Sequence, residues 1–140
     1  MKNNRALMLA TGIASLFIAG SVIAAEPAAS NKTLPSGVQV KFLKTAEGKK
    51  PVASDTVLVH YEGRLTDGTV FDSSYKRGKP ISFPLRGVIP CWTQGVAEMP
   101  VGSTVELTCP SETAYGKRGA GGVIPPDATL VFKVELLGIQ

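Results

Sequence analysis

The chain has 140 residues, of which 44% are hydrophobic and 19% charged, with a formal net charge of +4. That length supports one compact domain with a single core and leaves no room for two. The charge is too small to argue for a nucleic-acid partner, and it falls to about +2 without the first 25 residues, which hold Lys2 and Arg5.

Those first residues read as a cleavable signal peptide over 1–25. Lys2 and Arg5 form a basic start, Ala6 to Val22 is uncharged and largely apolar, and Val22-Ile23-Ala24-Ala25-Glu26 offers small residues where signal peptidase reads. The alternative is an uncleaved anchor, because the stretch approaches the roughly 20 residues that span a bilayer. Gly12, Ser15, Gly20 and Ser21 dilute its hydrophobicity, which favours cleavage. A periplasmic or secreted protein is expected, with no membrane association after cleavage.

Residues 26–36 are polar and small, with Pro27 and Pro35 and no period, and predict a flexible arm. Order is expected from Gly37, giving a domain over 37–140. Val38, Val40 and Phe42 alternate with polar neighbours as a half-buried strand does, and Glu47 to Pro51 reads as a loop. Thr56 to Leu65 alternates again through Val57, Val59 and Tyr61, and Asp67-Gly68 turns the chain into Val70 and Phe71 as a hairpin.

Three further period-two runs follow: Ile81, Phe83, Leu85; Val105, Leu107, Cys109; and Leu130 to Leu136. Only Pro90 to Met99 prefers a helix, with proline suited to the first turn and Trp92, Val96 and Met99 on one face. Pro100 stops it. Gly116 to Pro126 is a glycine-rich loop. A curved antiparallel sheet around this one short helix lets each bury its apolar face on the other, an α+β domain.

The export signal implies an oxidising compartment, in which Cys91 and Cys109 either pair or remain two buried thiols. A bridge would close a loop of about 18 residues, worth roughly 3 kcal/mol by chain entropy. Pairing is the expectation, and the distance between the two backbones decides it.

The residue inventory argues against familiar site chemistry. His60 is the only histidine and alternates onto the sheet face opposite Val59 and Tyr61, away from any nucleophile. Neither cysteine lies in a C-x-x-C or near other ligands, so no metal site, redox motif or cofactor is expected. Gly119, Gly121 and Gly122 lack the final glycine and the following helix of a phosphate loop. What remains is a site built from aromatic and aliphatic side chains.

Six segments then carry a resemblance: Val59-His60-Tyr61-Glu62-Gly63, the run Asp67 to Ser74, Val88-Ile89-Pro90-Cys91-Trp92, Ala114-Tyr115-Gly116, Ile124-Pro125-Pro126, and Thr129 to Leu137. In this order and spacing the chain resembles the FKBP-type peptidyl-prolyl cis-trans isomerases over roughly Gly37 to Gln140. The resemblance implies a half-barrel of five or six antiparallel strands around one helix. By position it implies a pocket with Trp92 as floor and Tyr61, Phe71 and Phe132 as walls. Arg77, Phe83, Val88, Val123 and Ile124 are placed around it.

It further implies that Tyr61, Asp72, Ile89 and Tyr115 act in catalysis, the last two through the Ile89 backbone N–H and the Tyr115 hydroxyl. Asp72 beside aromatic rings needs partners, for which Tyr61 and Arg77 are the candidates. Asp72 has a purely structural reading as well, tying the strand end to the next loop. Phe71, Phe83, Trp92 and Phe132 would each pass singly as core. Cys91 stands where the family usually has glycine, and Ala120 and Ile81 also depart from some members.

Such a pocket would isomerise X-Pro bonds in unfolded or partly folded exported proteins, acting as a monomer, with the family's macrolide inhibitors as further ligands. A binding module or holdase that grips proline segments without turnover is the rival reading.

Overall fold

A computed structural model describes residues 31–140. The expected signal peptide and the first part of the expected arm lie outside the described residues.

Seven strands form one antiparallel sheet: β1 (Asn31–Thr33), β2 (Gln39–Lys44), β3 (Thr56–Leu65), β4 (Val70–Ser73), β5 (Ile81–Pro84), β6 (Thr104–Cys109) and β7 (Leu130–Ile139). The order is β1-β2-β6-β7-β3-β4, and β5 also pairs with β3. Two helices interrupt the strands, α1 (Ser74–Arg77) and α2 (Pro90–Val96).

The alternation read from the sequence is the alternation of burial. Val57, Val59 and Tyr61 of β3, Val105, Leu107 and Cys109 of β6, and Leu130, Phe132, Val134 and Leu136 of β7 all face the core. The successive side chains of a pleated strand point to opposite faces, so each strand supplies one wall and one solvated face. Helix α2 closes the concave side with Cys91, Trp92, Gly95 and Val96 buried. It packs so closely that a Cβ on Gly95 would lie 2.6 Å from Leu107 Cδ2.

The helix predicted over Pro90 to Met99 is shorter. Its regular turns end at Val96, and the chain then tightens through bonds from Glu98 N–H to Gly95 O (3.1 Å) and from Met99 N–H to Val96 O (3.0 Å). Pro100 follows, and Met99 is still buried on the same face as Trp92 and Val96.

The expected arm over 26–36 needs a correction at its C-terminal end. Within it Asn31–Thr33 forms β1, which pairs with β2 in the register Asn31↔Lys41, Lys32↔Val40, Thr33↔Gln39. All three β1 side chains are exposed, so backbone bonds rather than an apolar pattern hold the strand. Lys32 Nζ also bonds Glu98 at 2.8 Å, and Ser36 bonds Gln94, fastening this edge to the end of α2.

Strand β3 organises the site. Along one side it pairs continuously with β7, from Val57↔Ile139 to Leu65↔Leu130, with a bulge at Leu58/Val59. Along the other it is shared: β5 takes Thr56 to Val59, and β4 takes Glu62 to Arg64. Between them the chain leaves the sheet through α1. Asp72 and Phe83 therefore stand on either side of a gap in one sheet edge, and the gap opens towards α2.

The two cysteines are joined, with Cα atoms 5.6 Å apart, linking the first turn of α2 to the last residue of β6.

Candidate active site

The gap leads into a cavity of about 510 Å³ lined by Tyr61, Asp72, Phe83, Gly87, Val88, Ile89, Trp92 and Tyr115. Trp92 is its centre of packing. Tyr61, Phe83 and Phe132 meet it edge to face, with centroids at 5.2, 5.4 and 5.5 Å, and Phe71 meets Phe132 in the same way at 5.7 Å. Edge-to-face contacts place the positive ring edge on the negative face, so the rings hold one another in fixed orientations.

Trp92 is only 4% exposed, because α2 lays it across the concave sheet. Its Nε1–H is buried with no partner among the described residues.

One carboxylate reaches this aromatic site, and it is fully engaged. Asp72 Oδ2 accepts from the Tyr61 hydroxyl, and Oδ1 accepts from Arg77 Nη1 at 2.7 Å and from the Ser73 backbone N–H at 2.9 Å. Burial alone would raise the Asp72 carboxyl, but the bonds from Tyr61 and Arg77 and the guanidinium charge outweigh it and hold the group below its usual range. Burial and the bond to Asp72 push the Tyr61 phenol up, so it stays a neutral donor. Arg77 is aimed by α1, whose N-cap Ser73 accepts from Lys76 N–H and whose C-cap is Gly78 at φ 79°.

Hydrogen-bonding groups at the rim are available. Ile89 sits at the N-cap of α2, where its carbonyl accepts from Trp92 and Thr93, while its own N–H has no acceptor among the described residues. Tyr115 is 40% exposed at the cavity mouth.

Of the twelve residues expected around the site, Tyr61, Asp72, Phe83, Val88, Ile89, Trp92 and Tyr115 line the cavity. Phe132 and Phe71 continue the aromatic cluster from Trp92, and Arg77 bonds Asp72. Ile124 is buried in the core, and Val123 is 56% exposed in its loop. That loop is held by paired bonds between Ala120 and Ile124, and Gly119 passes so close that a Cβ there would lie 2.2 Å from the Ile124 carbonyl oxygen. Gly87 lines the cavity without having been expected, since its contribution is backbone.

His60 lies away from the cavity. Its ring stacks on Tyr75 at 4.7 Å and its Nδ1 bonds Ser74 Oγ at 2.8 Å. It joins α1 to the sheet.

The family model for FKBP-type peptidyl-prolyl cis-trans isomerase matches residues 47–137. The chain belongs to this family. Among FKBP-type relatives, the 22 kDa peptidyl-prolyl cis-trans isomerase of Escherichia coli is 58% identical over 104 residues, covering 74% of this chain and 50% of the relative. FK506-binding protein 1 of Dictyostelium discoideum is 53% identical over 103 residues, 72% of this chain and 96% of that one. The crystal structure of FkpA from Escherichia coli superimposes with a TM-score of 0.75 at 44% identity, over 88% of this chain and 58% of that one. This FKBP-type chain thus spans about half the length of the two Escherichia coli relatives. The strand count, seven rather than five or six, includes the short edge strand β1.

Proposed function

We propose that the protein accelerates cis/trans isomerisation of X-Pro bonds in unfolded or partly folded exported proteins. The observation that carries this reading is the cavity: its centre is an edge-to-face cluster of Tyr61, Phe83 and Trp92, and its one carboxylate is already engaged by three donors.

The reaction asks for such a site. Rotation about the X-Pro bond crosses a barrier of about 18–20 kcal/mol because the amide loses resonance. A planar amide is strongly dipolar and well solvated, whereas the twisted amide is less so. An apolar wall therefore favours the twisted amide over the planar one, which is differential binding of the transition state. The proline ring enters between Tyr61, Phe83 and Trp92. The Ile89 N–H and the Tyr115 hydroxyl orient the flanking carbonyls, and Asp72 and Arg77 fix the Tyr61 ring.

The N-terminal basic and apolar residues support export, with the mature chain acting as a monomer in the periplasm or outside the cell. Among the described residues no helix is long and apolar enough to cross a membrane. The FK506-binding name of the Dictyostelium relative supports macrolides as ligands of the same cavity. A protease-coupled assay on a proline tetrapeptide tests the proposal: faster cleavage of the cis fraction is expected, and no acceleration by a folded preparation overturns it.

A further inference from the structure

The net positive charge of the described residues falls on the two chain segments that supply most of the cavity lining. Segments 71–92 and 111–127 supply every lining residue except Tyr61. Together they carry six cations, Lys76, Arg77, Lys79, Arg86, Lys117 and Arg118, against three acids, Asp72, Glu112 and Asp127. The remaining described residues carry seven of each sign.

Only Arg77 of the six forms an ion pair among the described residues, with Asp72. The other five are exposed. Each is close in sequence to a wall of the cavity: Lys76 and Lys79 lie between Asp72 and Phe83, Arg86 adjoins Gly87, and Lys117 and Arg118 follow Tyr115.

We propose that the mouth of the cavity selects X-Pro segments flanked by acidic residues, a specificity that rests on the isomerase reading and refines its substrate class. Unpaired cations around an apolar cleft raise the local concentration of acidic chains and speed their capture. The effect acts across the rim and leaves the aromatic chemistry unchanged, so it appears in affinity and association rate and fades with salt. An anionic lipid surface is the other polyanion such a patch could meet. The peptide is favoured because the cations lie on separate segments that also build the cavity wall.

The test titrates the full-length mature protein with three peptides sharing one Ala-Leu-Pro-Phe centre and carrying two flanking Glu, two Gln or two Lys, read by Trp92 fluorescence. It is run at about 20 mM and about 300 mM salt, which shortens the screening length from roughly 20 Å to roughly 6 Å. The Glu peptide is expected to bind about tenfold tighter than the Lys peptide at low salt and within about twofold at high salt. Lys117→Glu combined with Arg118→Glu and Arg86→Glu, all exposed and outside the aromatic site, reverses the order. Lys117→Gln with Arg118→Gln, a gentler change, narrows it.

Equal affinities at low salt, or a preference that salt does not weaken, overturn the proposal. So does tight binding to phosphatidylglycerol vesicles without discrimination among the peptides, which assigns the patch to a membrane. NMR exchange on the Gln peptide reports isomerisation separately: exchange without charge discrimination sinks only this inference, and discrimination without exchange sinks only the isomerase reading.

Discussion

Gly63 and Phe71 approach so closely that a Cβ added to Gly63 would lie 2.6 Å from Phe71 Cζ, with Phe132 Cε1 at 2.8 Å. The absence of a side chain at one position of β3 thus makes room for the Phe71–Phe132 pair that adjoins Trp92. Gly63→Ala is expected to displace both rings, costing about 1–3 kcal/mol of stability as overpacking does. It should also lower kcat/KM through the Phe132–Trp92 contact. Denaturant unfolding and the peptide assay measure the two effects, and an alanine variant with unchanged activity contradicts the role given to this pair.

Asp72→Asn separates a positioned site from a merely packed one. The Arg77–Asp72 pair is about half exposed, with side chains 47% and 39% accessible, so its loss should cost little stability. The Tyr61 ring would lose its charged acceptor, and kcat/KM is expected to fall about tenfold or more, as when catalytic groups lose their orientation. Full activity in this variant would return Asp72 to the role of a strand-end tie.

The pH dependence follows from the same group. The Asp72 carboxyl is held below its ordinary value in the folded protein, so the folded state binds fewer protons here than the unfolded chain does. Its contribution to stability is present above the unfolded value near 3.9 and is lost as pH falls through the lower folded value. Activity should therefore be level through the neutral range and decline only at acid pH. At the alkaline end the raised Tyr61 phenol gives a contribution that is lost as pH rises beyond about 10. A kcat/KM profile with an inflection near neutrality would contradict this assignment.

The bridge between Cys91 and Cys109 ties the residue beside Trp92 to β6 across a sequence separation of 18. Reduction, or the double Cys91→Ser, Cys109→Ser variant, is expected to cost roughly 3 kcal/mol, a lowered denaturant midpoint with a somewhat steeper slope because the unbridged unfolded chain is more expanded. Thiol titration of the unfolded, unreduced protein checks the premise, since two free thiols would contradict the bridge.

Much of this architecture was legible because burial follows a simple period. The alternation in Thr56–Leu65 and Leu130–Ile139 and the Trp92, Val96, Met99 face required no tertiary knowledge. Elements held by backbone or caps left no such trace. Strand β1 has three exposed side chains, and α1 is one turn defined by Ser73 and Gly78 rather than by an apolar face. At the site, the partners of Asp72 were legible because a carboxylate among rings demands donors, and Tyr61 and Arg77 supply them. Gly87 was not, as a residue that lines a cavity with backbone gives no side-chain signal.

Magnetisation-exchange NMR on a neutral Ala-Leu-Pro-Phe peptide, with and without the mature protein, tests the central claim most directly. Free peptide exchanges over tens of seconds or more. With the protein at micromolar concentration, cis/trans exchange within about a second is expected. It should be lost in Trp92→Ala, a variant first shown by circular dichroism to remain folded. A peptide that binds the cavity while its exchange stays at the free rate would contradict catalysis and leave a proline-binding module.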